Sequence, residues 1–243
     1  MTETDKRARI AGAIYLLASL PAFFSLRYVP DAIVVKGDWA ATLSRIGRSE
    51  DLFRLGIGAE LLGAALWVLV VWALWRLFAD VDRVQTWLMA ALGLMTVPLL
   101  FMATVPELAV LTLLGDPRYA QGLQPGQEAA LASLALRVHS ETLTIAGVFW
   151  GAWLFPFGVL VWKSGFLPRL LGALLIVGGL GWIADSAAAI VAPAISPQVG
   201  PIANAATRVG ELPIIFWLLF LGARPRLLPT MRPQTGSSVT EPR

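Results

Sequence analysis

Six long runs of apolar residues make up most of this chain, and they leave little choice of fold. They cover about residues 10–26, 52–78, 86–114, 129–162, 166–191 and 202–222. A helix needs roughly 20 predominantly apolar residues to cross the hydrocarbon core of a bilayer, with ~17 as the lower end. Each run suffices for one crossing. None suffices for two, which would take about 40 residues and a turn. The two longest, 86–114 and 129–162, are expected to tilt or to extend into the interface.

Composition agrees. The chain is 57% hydrophobic and 14% charged, against about 25% charged in an ordinary soluble domain, and its mean hydropathy is +0.70. That is too little polar material to cover a water-facing surface, and lipid as solvent removes the need. The fold class is therefore all-α: a polytopic membrane bundle of six transmembrane helices, forming one domain over residues 1–222. The bilayer is the first partner it implies.

The connections refine this picture. Lys6, Arg7 and Arg9 precede the first run, but Pro21 and two Phe stand where a signal-peptide cleavage site would be expected, so the run reads as an uncleaved helix. The first loop, Arg27–Asp51, is long and polar. Within it Asp38 is placed to cap a short interfacial helix ending at Arg48, with Trp39, Leu43 and Ile46 on one face. Residues 79–85 and 163–168 read as tight turns, 115–127 as a Gly/Pro/Gln loop, and 192–201 as a connection holding three prolines. The tail 223–243 is rich in Pro, Ser, Thr and Arg, and is expected to be disordered and cytoplasmic.

Charge sets the orientation. With the N terminus inside, the cytoplasmic ends hold eleven of the nineteen Lys and Arg residues, and every short loop obeys the same bias. Both termini are expected in the cytoplasm of a bacterial cell, with the bundle in its inner membrane. Trp39, Trp75, Trp87 and Trp162 near run ends fit interfacial anchoring, whereas Trp67 and Trp217 read as packing. The basic residues are scattered over run ends, which argues against nucleic acid as a partner. Without cysteine the chain has no disulfide, thiolate ligand or cysteine nucleophile.

The unusual feature is a layer of ionisable residues inside the runs. Counted from the extracytoplasmic helix ends, Glu60, Glu107, His139, Glu141, Asp185 and Glu211 all lie roughly 12–18 Å deep at 1.5 Å per residue. Arg54, Arg137 and Arg208 are shallower in the same half and are candidate counter-charges. A charged side chain at mid-membrane costs about 2.5–3.5 kcal/mol. Five unpaired acids would cost on the order of 12–18 kcal/mol, more than a typical domain's whole net stability of ~5–15 kcal/mol. They must be paired, protonated or hydrated. Arg137 and Glu141 at i, i+4, and Arg208 and Glu211 at i, i+3, share helix faces. Glu60, Glu107 and Asp185 have no local base.

His139, the single histidine, cannot build a multi-histidine metal site. A His/carboxylate site with Glu60, Glu141, Asp185 or Glu211 remains open, but a proton-handling role ranks above it. The expectation is a site with no metal and no cofactor. Gly147 and Gly151 form a G-x-x-x-G, and Gly172, Gly178, Gly179 and Gly181 follow on the fifth run; such stripes are common where membrane helices pack. No dinucleotide fingerprint, P-loop, zinc-protease helix or nucleophile elbow is present.

Several segments together resemble the bacterial DUF4386 membrane proteins, a family of unknown function. They are Lys163-Ser-Gly-Phe-Leu-Pro-Arg-Leu-Leu-Gly172, Gly181-Trp-Ile-Ala-Asp-Ser186, Arg9-Ile-Ala-Gly12, Phe53-Arg-Leu-Gly56 and Gly210-Glu211. The resemblance covers about residues 7–222. It implies a multi-pass helical protein in which ionisable residues at Glu60, His139, Asp185 and Glu211 belong to the family pattern. Members often carry Asp at the Glu60 position, and Glu141 departs from the pattern. No activity comes with the resemblance, so whether the chain is an enzyme stays open.

Three functions compete. The first is a site that binds or acts on a small lipophilic molecule in the extracytoplasmic half. The second is a proton- or cation-coupled transporter, and the third a structural or accessory membrane subunit. The transporter reading lacks an internal repeat and a polar path through the inner half. Oligomeric state is not legible.

Overall fold

The computed structural model describes residues 2–223 apart from 36 and 125. The tail expected to be disordered therefore lies outside the described residues beyond Ala223. Six helices are long and apolar enough to cross a membrane: α1 (Glu3–Ile33), α3 (Glu50–Phe78), α4 (Arg83–Gly115), α5 (Gln127–Ser164), α6 (Arg169–Val191) and α7 (Ser196–Leu221). A shorter helix, α2 (Trp39–Arg48), lies between the first two. Among the described residues there is no strand.

Helix ends follow local chemistry. Thr2 caps α1 by accepting from the Asp5 N–H, and Asp38 caps α2 by accepting from the Ala41 N–H at 2.8 Å. Asp82 caps α4 by accepting from the Gln85 N–H, and it also takes a hydrogen bond from Lys163 Nζ at 2.7 Å. That bond ties the two turns at the termini end of the bundle together. The Lys163 ammonium, with the Gln85 N–H, holds the Asp82 carboxyl below the usual carboxylate range. Gly165 closes α5 with a left-handed φ of 70°, a conformation that favours glycine.

Two prolines extend helices where the sequence suggested loop. The first helix does not end near Leu26 but runs on to Ile33. Pro30 has no N–H to offer the ladder, and the chain shifts to wider π-type bonding over Phe24–Tyr28, with the Val29 N–H reaching the Phe24 carbonyl. Residues 27–33 are thus helix rather than the start of the polar loop. Likewise α7 begins at Ser196, because Pro197 occupies a first-turn position where no N–H partner is needed. Pro98 and Pro106 lie inside α4 without ending it.

The long helices form a closed ring. Each of α4 to α7 packs on the helix before it, α1 packs on α3, and the last turns of α7 return to α1. Gly12 makes this closure, with the backbone of Leu218 and Leu219 directly against its Cα. Glycines set the α5–α6–α7 contacts too: a Cβ on Gly151 would stand 2.7 Å from the Gly179 carbonyl, and one on Gly210 would stand 2.7 Å from the Gly178 Cα. At 38 residues α5 is about 57 Å long, so it outruns a bilayer of ~40–45 Å including headgroups.

The interior has two apolar regions. The larger, around Leu74, Phe78, Trp153, Phe157, Leu175 and Leu218, fills the half near the termini. The smaller joins Val29, Ile33, Phe53, Ile57, Val110 and Ala132 to Leu43 and Ile46 of α2. Leu43 and Ile46 are buried as the amphipathic pattern predicts, while Trp39 stays exposed. So α2 folds its apolar face onto the remote end of the bundle as a cap. The expected division into an apolar half and an ionisable half becomes a sandwich, with the ionisable layer between two apolar regions.

Candidate functional site

Three of the six intramembrane residues converge. Glu60 from α3, Glu107 from α4 and His139 from α5 offer ligand or proton-accepting atoms that all lie within 4.8 Å of one another. His139 Nε2 is 3.9 Å from Glu60 Oε2, and Nδ1 is 3.9 Å from Glu107 Oε2. Consecutive antiparallel helices carry the three groups, and each group sits at a similar distance from the remote end of its helix. The side chains retain 5%, 13% and 14% of their exposure, respectively. His139 Nδ1 is 3.0 Å from the Ala103 carbonyl oxygen, one turn before Glu107 on α4. A carbonyl only accepts, so Nδ1 carries a proton, and in the neutral ring the lone pair is on Nε2. Glu60 Oε1 and Glu107 Oε2 are buried without a hydrogen-bond partner.

Glu211 forms a second centre. It accepts from Tyr15 Oη of α1 at 2.8 Å and from Trp182 Nε1 of α6 at 2.7 Å. The i, i+3 pair with Arg208 suggested by spacing does not form among the described residues: Arg208 lies exposed on the outside of α7, while Glu211 turns inward to two neutral donors. Between the centres is a cavity of about 290 Å³, lined by both Glu60 and Glu211. Its walls are otherwise largely apolar and aromatic. Tyr15 meets Trp67 edge-on with centroids 5.5 Å apart, and Trp150 meets Trp182 at 4.9 Å. Exposed Arg208 and Leu212 also line the cavity, so it reaches the outside of the bundle beside α7.

The other candidates lie apart. Glu141, expected in the buried layer, pairs with Arg137 at 3.0 Å on an accessible face of α5. It follows His139 by two residues, about 200° around the helix, which turns it away from the interior. Arg54 pairs with Glu50 on its own helix at 2.7 Å and not with a buried acid. Asp185 is half-buried against Gly200 at the start of α7 and lines neither the trio nor the cavity. Sequence reasoning missed Tyr15 and Trp182. A phenol in the middle of an apolar run was the available signal for Tyr15; Trp182 gave none, since an indole in a membrane helix usually reads as packing.

Chemically, the trio offers two carboxyl groups and one imidazole lone pair in a water-poor interior. That set can exchange protons or hold a cation. The Glu211 centre offers one carboxyl oriented by two donors at the wall of an apolar cavity, which suits binding.

The family model of DUF4386, described as a domain of unknown function, matches residues 10–222. An uncharacterised protein of Archaeoglobus fulgidus is 33% identical over 102 residues, which is 40% of this chain and 59% of that protein. The chain thus covers less than two thirds of that relative's length. No solved structure matches. With nearly the whole membrane-embedded bundle, both ionisable centres included, inside the matched region, the chain belongs to the DUF4386 family.

Proposed function

We propose that this membrane protein binds a small lipophilic molecule carrying a hydrogen-bond donor, in the cavity between α1 and α7. The observation behind this reading is the cavity itself: about 290 Å³ of mostly apolar, aromatic-walled space with the carboxyl groups of Glu60 and Glu211 in its lining. Binding sites for small molecules combine an apolar body with a few placed polar groups in this way. Tyr15 and Trp182 fix the orientation of Glu211, leaving it pre-organised toward a hydroxyl or amine on the ligand. Arg208 and Leu212 mark a side entrance, so the ligand would arrive from the lipid. By the Lys/Arg bias the cavity lies in the extracytoplasmic half of a bacterial inner-membrane protein with both termini inside.

The cavity's own tryptophans supply the test. A lipophilic fluorescent amine titrated into the protein in detergent should quench Trp67, Trp150 and Trp182 saturably. Glu211→Gln should weaken that binding at least about 10-fold, the scale of one charge-assisted hydrogen bond. Ala22→Trp, which fills the cavity, should abolish it. Saturable quenching of equal affinity in both variants would place the probe elsewhere and end the proposal.

A further inference from the structure

The trio of Glu60, Glu107 and His139 has a donor set that the lipophilic cavity does not explain. Glu60 is 95% buried by side-chain exposure, and its Oε1 has no partner. Glu107 adds a second carboxyl whose Oε2 is also buried without a partner. No Lys or Arg forms an ion pair with either acid among the described residues; Arg54 and Arg137 are committed to Glu50 and Glu141. When ionised, these two buried carboxylates carry two negative charges with no Lys or Arg beside them.

A divalent cation supplies the balancing charge and brings the group to neutrality. The imidazole is prepared for this. Nδ1 is engaged by the Ala103 carbonyl, which sets the tautomer of the neutral ring and leaves Nε2 beside Glu60 Oε2. Metal-ligating histidines are held in the same manner by a carbonyl or carboxylate behind them. Ligand atoms about 2.1 Å from a tetrahedral ion stand about 3.4 Å apart. Nε2 stands 3.9 Å from Glu60 Oε2, about half an ångström more than this, and one ligand atom from each of the three residues lies within 4.8 Å of the other two. The Glu107 carboxyl, whose Oε2 is 3.9 Å from Nδ1, must swing toward the Nε2 side to complete the set. One nitrogen and two carboxylate oxygens suit a first-row divalent ion such as Zn²⁺, Fe²⁺ or Mn²⁺, and the absence of cysteine removes the thiolate ligands that favour Cu(I). Three protein ligands would leave a coordination position open.

We infer that Glu60, Glu107 and His139 form an intramembrane binding site for a divalent transition-metal ion. This replaces the sequence-based expectation of a site without metal. It stands independently of the lipophilic ligand, although Glu60 belongs to both.

The test is metal stoichiometry. Full-length protein purified without chelator, then equilibrated with micromolar Zn²⁺ and desalted, should hold about one ion per chain by elemental analysis. Glu60→Gln, Glu107→Gln and His139→Ala should each raise the zinc Kd beyond the ~10–100-fold typical of losing an outer-shell partner. Glu211→Gln should keep its zinc while binding the fluorescent amine at least about 10-fold more weakly, which separates failure here from failure of the cavity proposal. Co²⁺ in place of zinc should give visible d–d absorption that the His139→Ala variant lacks. Wild-type protein holding well under one ion per chain would overturn the site. So would full zinc binding in all three ligand variants, whatever their thermal stability.

Discussion

Glu211 shows how one acid is accommodated inside a membrane protein without a counter-charge. Its two oxygens take hydrogen bonds from Tyr15 and Trp182, side chains that are themselves mostly apolar. Leaving a buried acceptor unsatisfied costs about 1–3 kcal/mol. Tyr15→Phe and Trp182→Phe should each lower stability in detergent by that order, and the double variant by less than the sum, since both donors serve one carboxylate. Thermal unfolding checks this; two singles that melt like wild type would mean the bonds are idle. At this scale the sequence was partly legible. The depth count found Glu60, Glu107 and His139, which meet, and Glu211, which lines a cavity together with Glu60. It did not separate Glu141, because depth says nothing of which way a helix face points. Nor did it find Arg208's outward orientation, because i, i+3 spacing permits a pair without requiring one.

Among the helices, close approach is set by glycine. Gly151 lies against the Gly179 carbonyl across the α5–α6 contact, whereas Gly58 on α3 has open space around it. Gly151→Leu should destabilise by about 1–3 kcal/mol through overpacking. Gly58→Leu should be neutral or slightly stabilising, as glycine costs roughly 0.8–1 kcal/mol in a helix interior. Equal melting temperatures for the two variants would contradict the packing. The turns have their own test. Asp82's carboxyl is held low by Lys163 and the Gln85 N–H. A carboxyl depressed on folding contributes stability above its unfolded value, near 3.9, and loses it as the pH falls through the lower folded value. The stability gap between wild type and Asp82→Asn should therefore be full at neutral pH, persist at pH 5 and close only under acid below about 4. A gap that instead opens on acidification would reverse the assignment. The runs, the Asp38 cap and α2 were readable from apolar patterning and the Asp38 position, whereas the Thr2 and Asp82 caps were not singled out. The helical continuations at Pro30 and Pro197 were not, since proline reads as a breaker unless neighbouring turns change their bonding to admit it.

For the whole molecule, the absence of cysteine makes topology directly measurable. Single cysteines placed at Gly122, in the loop after α4, and at Asp80, in the turn before it, should label oppositely in intact cells. An impermeant thiol reagent outside should reach position 122 and spare position 80. The reverse pattern would invert the bundle and put the cavity in the inner half. Sheer apolarity made the six crossings legible. Ring closure was not, because nothing in a linear pattern says that the last helix returns to the first.

That closure orders biogenesis. Tyr15 and Glu211 are separated by 196 residues, and the Asp5 carboxylate accepts from the Ala223 N–H at the far end of the described chain. Glu60, Glu107 and His139, in contrast, are all synthesised before α6 begins. During translation the trio can assemble while the ribosome is still making the second half, but the cavity wall needs the final helix. A nascent chain stalled after α5 would present a finished trio in an unfinished container, open to lipid on the side that α6 and α7 later cover.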